Sequence, residues 1–148
     1  MTNKTFSITI NASPATVWQV LWNDESYRAW TSVFAPDSHA ITDWKQGSKV
    51  LFVDSNNNGM VSHIKELIPN EKMTFQHLGE VTNGTEDSIS EQAKQWAGAI
   101  EEYILKPSGN KTELSVNMDM ADEFVEEFSI AFPKGLEIVK QMAEAQST

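Results

Sequence analysis

The sequence contains no cysteine, which excludes disulfide scaffolding, thiolate nucleophiles and sulfur-ligated zinc or iron. Basic residues are scarce, with 11 Lys and Arg against 21 Asp and Glu for a formal net charge of −10. A chain this acidic repels a phosphate backbone and has no basic stripe, so nucleic acid is not an expected partner. No run approaches the ~18 consecutive apolar residues of a membrane span, and residues 1 to 9 alternate polar and apolar where a signal peptide would be continuously apolar. The expected address is cytoplasmic, with no membrane partner. Glycine-rich phosphate cradles, a Gly-x-Ser-x-Gly elbow and paired-acid motifs are missing too, so no enzyme class is indicated and no catalytic residue is assigned. His39, His63 and His77 fall on separate expected strands without partners at metal-ligand spacing, and neither a metal nor another cofactor is expected.

What the chain does have is apolar material for one core. Its 148 residues are 40% hydrophobic, with five Trp, seven Phe and two Tyr. That length suits a single domain over residues 1–148. Phe6, Ile8 and Ile10 alternate with Ser7 and Thr9 as a half-buried strand does. Asn11 and Ser13 offer capping oxygens and Pro14 fits a first helical turn, so a helix burying Val17, Trp18 and Leu21 should follow, and then a second short one over residues 24 to 30. Four strands are expected over residues 39–44, 49–54, 60–68 and 72–78. They are punctuated by Gln46-Gly47, Asn56-Asn57-Asn58-Gly59 and Pro69-Asn70. Two more, 99–106 and 111–119, flank the turn at Pro107-Ser108-Gly109-Asn110. Between them, residues 80–97 read as a polar loop in which Ile89, Ala93 and Trp96 could line one face of a short helix, a candidate lid over a pocket mouth. From residue 122 to about 145 an apolar stripe of Phe124, Phe128, Ala131, Gly135, Val139 and Met142, widened by Phe132 and Leu136, marks a long helix, with a bend expected at Pro133.

This order of elements is the helix-grip arrangement, an α+β fold in which a curved antiparallel sheet of about six to seven strands wraps a long C-terminal helix, with two short helices after strand one. The run Ile8-Thr9-Ile10-Asn11-Ala12-Ser13-Pro14-Ala15-Thr16-Val17-Trp18 followed by Trp30 resembles the opening of the START-like family named for the heat-shock ATPase-activator co-chaperone. So do Asp43 with Gly47, residues 64–67 followed by Pro69, residues 73–75, and the strand from Tyr103 to Leu105 leading through Gly109 to Thr112. The chain departs from the pattern at His77, where an aromatic is common, at Ser62, where Gly is common, and in the length of the 80–97 loop.

The resemblance implies a cavity between sheet and long helix for an apolar or amphipathic small molecule. It leaves two alternatives: an enzyme of cyclase, aromatase or dehydratase type, or a chaperone-regulating interaction domain. The candidate ligand-binding residues are Trp18, Phe52, Ile64, Phe75, His77, Glu101, Tyr103, Leu114, Phe128 and Phe132. His77 shares parity with Met73 and Phe75 and should face inward. Glu101 and Tyr103 share a strand face, and the enzymatic alternative requires both to converge with His77. A carrier of this kind needs an apolar volume of roughly 300 Å³ or more. The expected partner is a hydrophobic small molecule, and the expected state a monomer or homodimer.

Overall fold

The computed structural model describes residues 1–146. Strand β1 (Thr2–Ile10) runs into Ser13, whose Oγ accepts a hydrogen bond from the Thr16 amide at 3.3 Å and caps helix α1 (Pro14–Trp22). Helix α2 (Asp24–Thr31) follows after one residue, and Trp30 is locked to α1 by a hydrogen bond from its Nε1 to the Leu21 carbonyl at 3.1 Å. Seven further strands come next: β2 (His39–Ile41), β3 (Lys49–Val53), β4 (Gly59–Ile68), β5 (Lys72–Thr82), β6 (Thr85–Asp87), β7 (Ile100–Ser108) and β8 (Lys111–Met120). The one-turn helix α3 (Glu91–Lys94) lies between β6 and β7. A 3-10 turn over Asp122–Phe124 leads into helix α4 (Val125–Gln146), which continues through Pro133.

The sheet is antiparallel in the order β1-β8-β7-β5-β4-β3-β2, with β6 paired to β5. Helix α4 packs on β1, α1 and α2. It buries Ala131, Phe132, Gly135, Leu136, Val139 and Ala143, largely the stripe its 3.6-residue period dictates. Gly135 permits the close crossing with α2, because a Cβ there would come within 3.2 Å of the Trp30 carbonyl oxygen. Two irregularities bend the β4–β5 pair. Ile64 faces Phe75 and Glu66 faces Thr74, so Lys65 is an extra residue; Ser62 faces His77 and Val61 faces Gly79, so Leu78 is another. Bulges of this kind re-aim neighbouring side chains, and the second flanks His77. Among the described residues no helix is long and apolar enough to cross a membrane.

Residues 80–97 correct the sequence reading. β5 continues to Thr82, Asn83 and Gly84 turn the chain at φ 51° and 82°, and β6 returns as an eighth strand. The helix there shrinks to four residues. Ile89 is 80% exposed and Trp96 only 5%, so Ile89 covers nothing, and Trp96 belongs to the core against His77 and Phe124. The lid is replaced by a hairpin that continues the sheet. The expected strand over residues 39–44 is also cut to three residues, because Trp44 takes a positive φ of 57° that no ladder accommodates.

Candidate functional site

Three neighbouring strands bring four polar side chains together in the interior. β4 supplies Ser62, β5 supplies His77 directly opposite it, and β7 supplies Glu101 and Tyr103, two residues apart on one face. Phe75 faces Glu101 in the β5–β7 pairing, which puts His77 diagonal to Glu101, near enough for long side chains to meet. The result is a continuous chain. Ser62 Oγ lies 2.5 Å from His77 Nδ1, His77 Nε2 lies 3.3 Å from Glu101 Oε1, and the Tyr103 hydroxyl donates to Glu101 Oε2 at 2.5 Å. The His77 backbone is fixed as well, its N–H donating to the Ala99 carbonyl at 2.8 Å and its carbonyl accepting from the Gly98 N–H at 2.9 Å.

Ser62, His77 and Tyr103 are buried, and the Glu101 side chain keeps 17% of its exposure. One proton arrangement satisfies the whole chain with a single charge. The Ser62 hydroxyl donates to Nδ1, the Nε2–H lies beside one Glu101 oxygen at 3.3 Å, and Tyr103 donates to the other, so two groups face one carboxylate and Ser62 holds the His77 ring. A carboxylate offers about four acceptor positions. Two are taken here from within the protein, which leaves acceptor capacity on Glu101.

His77, Glu101 and Tyr103 line a cavity of about 190 Å³, and Ser62 supports His77 without lining it. Its walls are rich in aromatic rings: Tyr27 and Trp30 from α2, Phe34 after it, Phe52 from β3, and Phe128 and Phe132 from α4. Phe34 and Phe132 meet with centroids 4.9 Å apart, and Phe52 approaches His77 at 6.2 Å. Met60 and Met118 complete the apolar lining, and Ser38, Asp54, Asn58 and Gly59 form its more exposed rim. No Lys or Arg is among the lining residues.

Of the ten residues singled out from sequence, the structure places Phe52, His77, Glu101, Tyr103, Phe128 and Phe132 on the cavity wall. Trp18, Ile64, Phe75 and Leu114 lie elsewhere. Ile64, Phe75 and Leu114 are fully buried in the packed core, Phe75 with its ring 5.0 Å from that of Phe52, and Trp18 packs half-buried against Trp22. Parity identified the inward face of each strand but not how far along it the packing gives way to space. The volume is also below the expected 300 Å³, because Trp22, Trp44, Phe75 and Tyr103 interlock and occupy much of the interior. Tyr27, Trp30, Phe34 and Ser62 were missed. For Ser62 a signal existed: a hydroxyl where the related pattern has glycine, beside the other departure at His77.

Both of the chain's tyrosines sit at this site. Burial, and secondarily the Glu101 charge, pushes the phenol pKa values of Tyr27 and Tyr103 well above the ordinary value. A folded pKa raised above the unfolded value of about 10 leaves stability intact below that pH and removes it as pH rises past it, by about 1.4 kcal/mol per pH unit for each phenol. Phenolate absorbance near 295 nm should therefore stay flat through the folded state and appear only together with unfolding, at alkaline pH. Smooth titration of either tyrosine near pH 10 with the circular dichroism unchanged would contradict the burial described here.

The profile of the family described as Activator of Hsp90 ATPase homolog 1-like protein matches residues 11–136. No curated protein matches the chain. Among solved structures, the Aha1 dimer from Colwellia psychrerythraea superposes with a TM-score of 0.73 at 20% identity, covering 97% of each chain. Protein MLL2253 from Mesorhizobium loti gives 0.74 at 10% identity over 99% of this chain and 100% of the other. CalU16 from Micromonospora echinospora gives 0.66 at 14% identity, over 97% of this chain and 77% of its own. At these identities the likeness speaks for the fold alone.

Proposed function

The chain belongs to the Activator of Hsp90 ATPase homolog 1-like family, with the START-like helix-grip fold, and from that premise we propose that it binds a compact apolar or amphipathic small molecule between the sheet and α4. One observation carries the reading: a cavity of about 190 Å³ rich in aromatic rings, with His77, Glu101 and Tyr103 on its wall and its other polar groups chiefly at the rim. Apolar walls with a few fixed polar groups are what small-molecule sites use for affinity and orientation respectively. The volume scales the ligand, since an apolar cavity of roughly 150 Å³ accepts a single benzene ring. Bulky polycyclic ligands do not fit without rearrangement.

Convergence of His77, Glu101 and Tyr103 supports a second reading, acid–base catalysis on a cyclic substrate. Both ring nitrogens of His77 are engaged within the protein, however. The geometry therefore favours holding a ligand over moving a proton. A cytoplasmic address and a monomeric or homodimeric state accompany the proposal, and cell fractionation and sedimentation would check them. The chaperone-regulating alternative predicts that a pull-down from the source cell returns a chaperone.

Native mass spectrometry of protein purified from its own host should show added mass of small-molecule size. Titration with ethylbenzene should also quench or shift tryptophan fluorescence, because Trp30 lines the cavity. The variant Ala35→Trp places a bulky ring at a half-buried lining position. It is expected to weaken ethylbenzene binding about ten-fold with little loss of stability. Apoprotein alone, combined with no response to ethylbenzene, would end the reading.

A further inference from the structure

The chemistry of the cavity wall goes further than its shape. Its buried polar cluster ends in the Glu101 carboxylate, which accepts from the Tyr103 hydroxyl, lies 3.3 Å from His77 Nε2 and has acceptor capacity to spare. In the arrangement that satisfies Ser62 and His77 together, the Ser62 hydroxyl is spent on His77 Nδ1 and the remaining donors, His77 Nε2–H and the Tyr103 hydroxyl, both face that carboxylate. The polar end of the cavity therefore lacks a hydrogen-bond donor and not an acceptor. No Lys or Arg lines the wall, and the rim adds a second carboxylate, Asp54. Lining the same cavity as Glu101 are the rings of Tyr27, Trp30, Phe34, Phe52, Phe128 and Phe132, and π faces attract cations.

We infer that the cavity is built for a small organic ammonium: a protonated amine with a single-ring or comparable apolar body, its nitrogen directed to Glu101 and its body among the aromatic rings. The inference rests on the ligand-binding reading above and adds the charge of the ligand to it. An apolar carboxylate such as a short fatty acid is selected against, because it would meet a carboxylate in a poorly solvated space with no cation to balance either. A neutral alcohol can donate to Glu101 but lacks the Coulomb term, and should bind between the two.

Isothermal titration with four isosteric probes tests this: 2-phenylethylamine, 2-phenylethanol, phenylacetate and ethylbenzene, each at 0.15 M and 0.5 M salt. The amine is expected to bind at least ten-fold tighter than phenylacetate, and tighter than the alcohol, since only the ammonium adds Coulomb attraction to its hydrogen bond with the carboxylate, whereas a second carboxylate is repelled. The preference should persist at 0.5 M salt. The chain's net charge of −10 attracts any cation, but salt screens that diffuse attraction and leaves a buried pair largely intact. Glu101→Gln should cost the amine ten-fold or more and cost 2-phenylethanol clearly less, since the amide oxygen still accepts from a hydroxyl.

Equal or tighter binding of phenylacetate, loss of the preference at the higher salt, or full amine affinity in a folded Glu101→Gln protein would each overturn the inference. Should that variant not fold, the wild-type ranking at two salt concentrations decides alone. Ethylbenzene and 2-phenylethanol binding without any ammonium preference would sink the inference and spare the cavity reading. Silence from all four probes would sink both.

Discussion

Trp30→Ala is expected to lower the unfolding free energy by about 3–5 kcal/mol, the range for truncating a buried large aromatic. Trp30 is 1% exposed, its ring meets those of Tyr27, Phe34 and Tyr103, and its Nε1 donates to the Leu21 carbonyl. Truncation therefore empties space between α2 and α4 and also strips a buried carbonyl of its partner. Trp30→Phe keeps most of the volume and should cost clearly less. Urea melts with unchanged m-values would give both numbers, and a loss below 2 kcal/mol for the alanine variant would mean that α2 is not the anchor its packing suggests. Because Trp30 also walls the cavity, the alanine protein should be partly rescued by saturating ethylbenzene, through the linkage between binding and stability.

Gly59→Ala should be the most damaging of the glycine-to-alanine changes, at about 3 kcal/mol and a visible drop in melting temperature. A Cβ at Gly59 would lie 1.8 Å from the Phe52 carbonyl oxygen, inside the β3–β4 pairing. The obstacle is backbone, so no rotamer change relieves it and the strands must part. Gly84→Ala provides the contrast. Its Cβ meets nothing, but its φ of 82° is strained for any residue with a side chain, and about 1–2 kcal/mol is expected. Thermal melts of the two variants separate collision from conformational strain. Comparable small losses at both positions would contradict the tight crossing at Gly59. Gly59 and Phe52 both border the cavity, so the first variant should also bind ethylbenzene poorly.

Much of this architecture could be read from periodicity because each element obeys a single rule over enough residues. β1 alternates strictly, α1 has a serine cap followed by proline, and α4 repeats apolar residues over five turns. Residues 80–97 obey two rules at once. Ile89, Ala93 and Trp96 fit a helical face, but Asn83-Gly84, a dipeptide suited to tight hairpins, carries the stronger local constraint and turns β5 into β6. At the candidate site, the inward direction of His77, Glu101 and Tyr103 follows from strand parity. The contribution of α2 does not, because how Tyr27 and Trp30 meet the sheet depends on a crossing angle set by Gly135 far away in sequence. Nor could the one-residue bulge at Lys65 be foreseen, although it shifts the register, counted from the β4–β5 turn, so that Ser62 and not His63 faces His77.

The pairing of β1 with β8 dictates the order in which the molecule can be assembled. Ile10 lies against Thr112 and Thr2 against Met120, and the Thr112 hydroxyl reaches back 100 positions to the Ala12 carbonyl. During synthesis the first strand therefore waits, unpartnered, while β2 to β7 emerge and form their local hairpins. Closing so long a span is entropically costly and comes late, which makes non-local strand pairing slow. Until it closes, Phe6 and Ile8 have no sheet beneath them and α4 lacks one of the surfaces it packs on. The cavity is then a late product of folding, absent from any intermediate in which the hairpins exist but the two distant strands have not met.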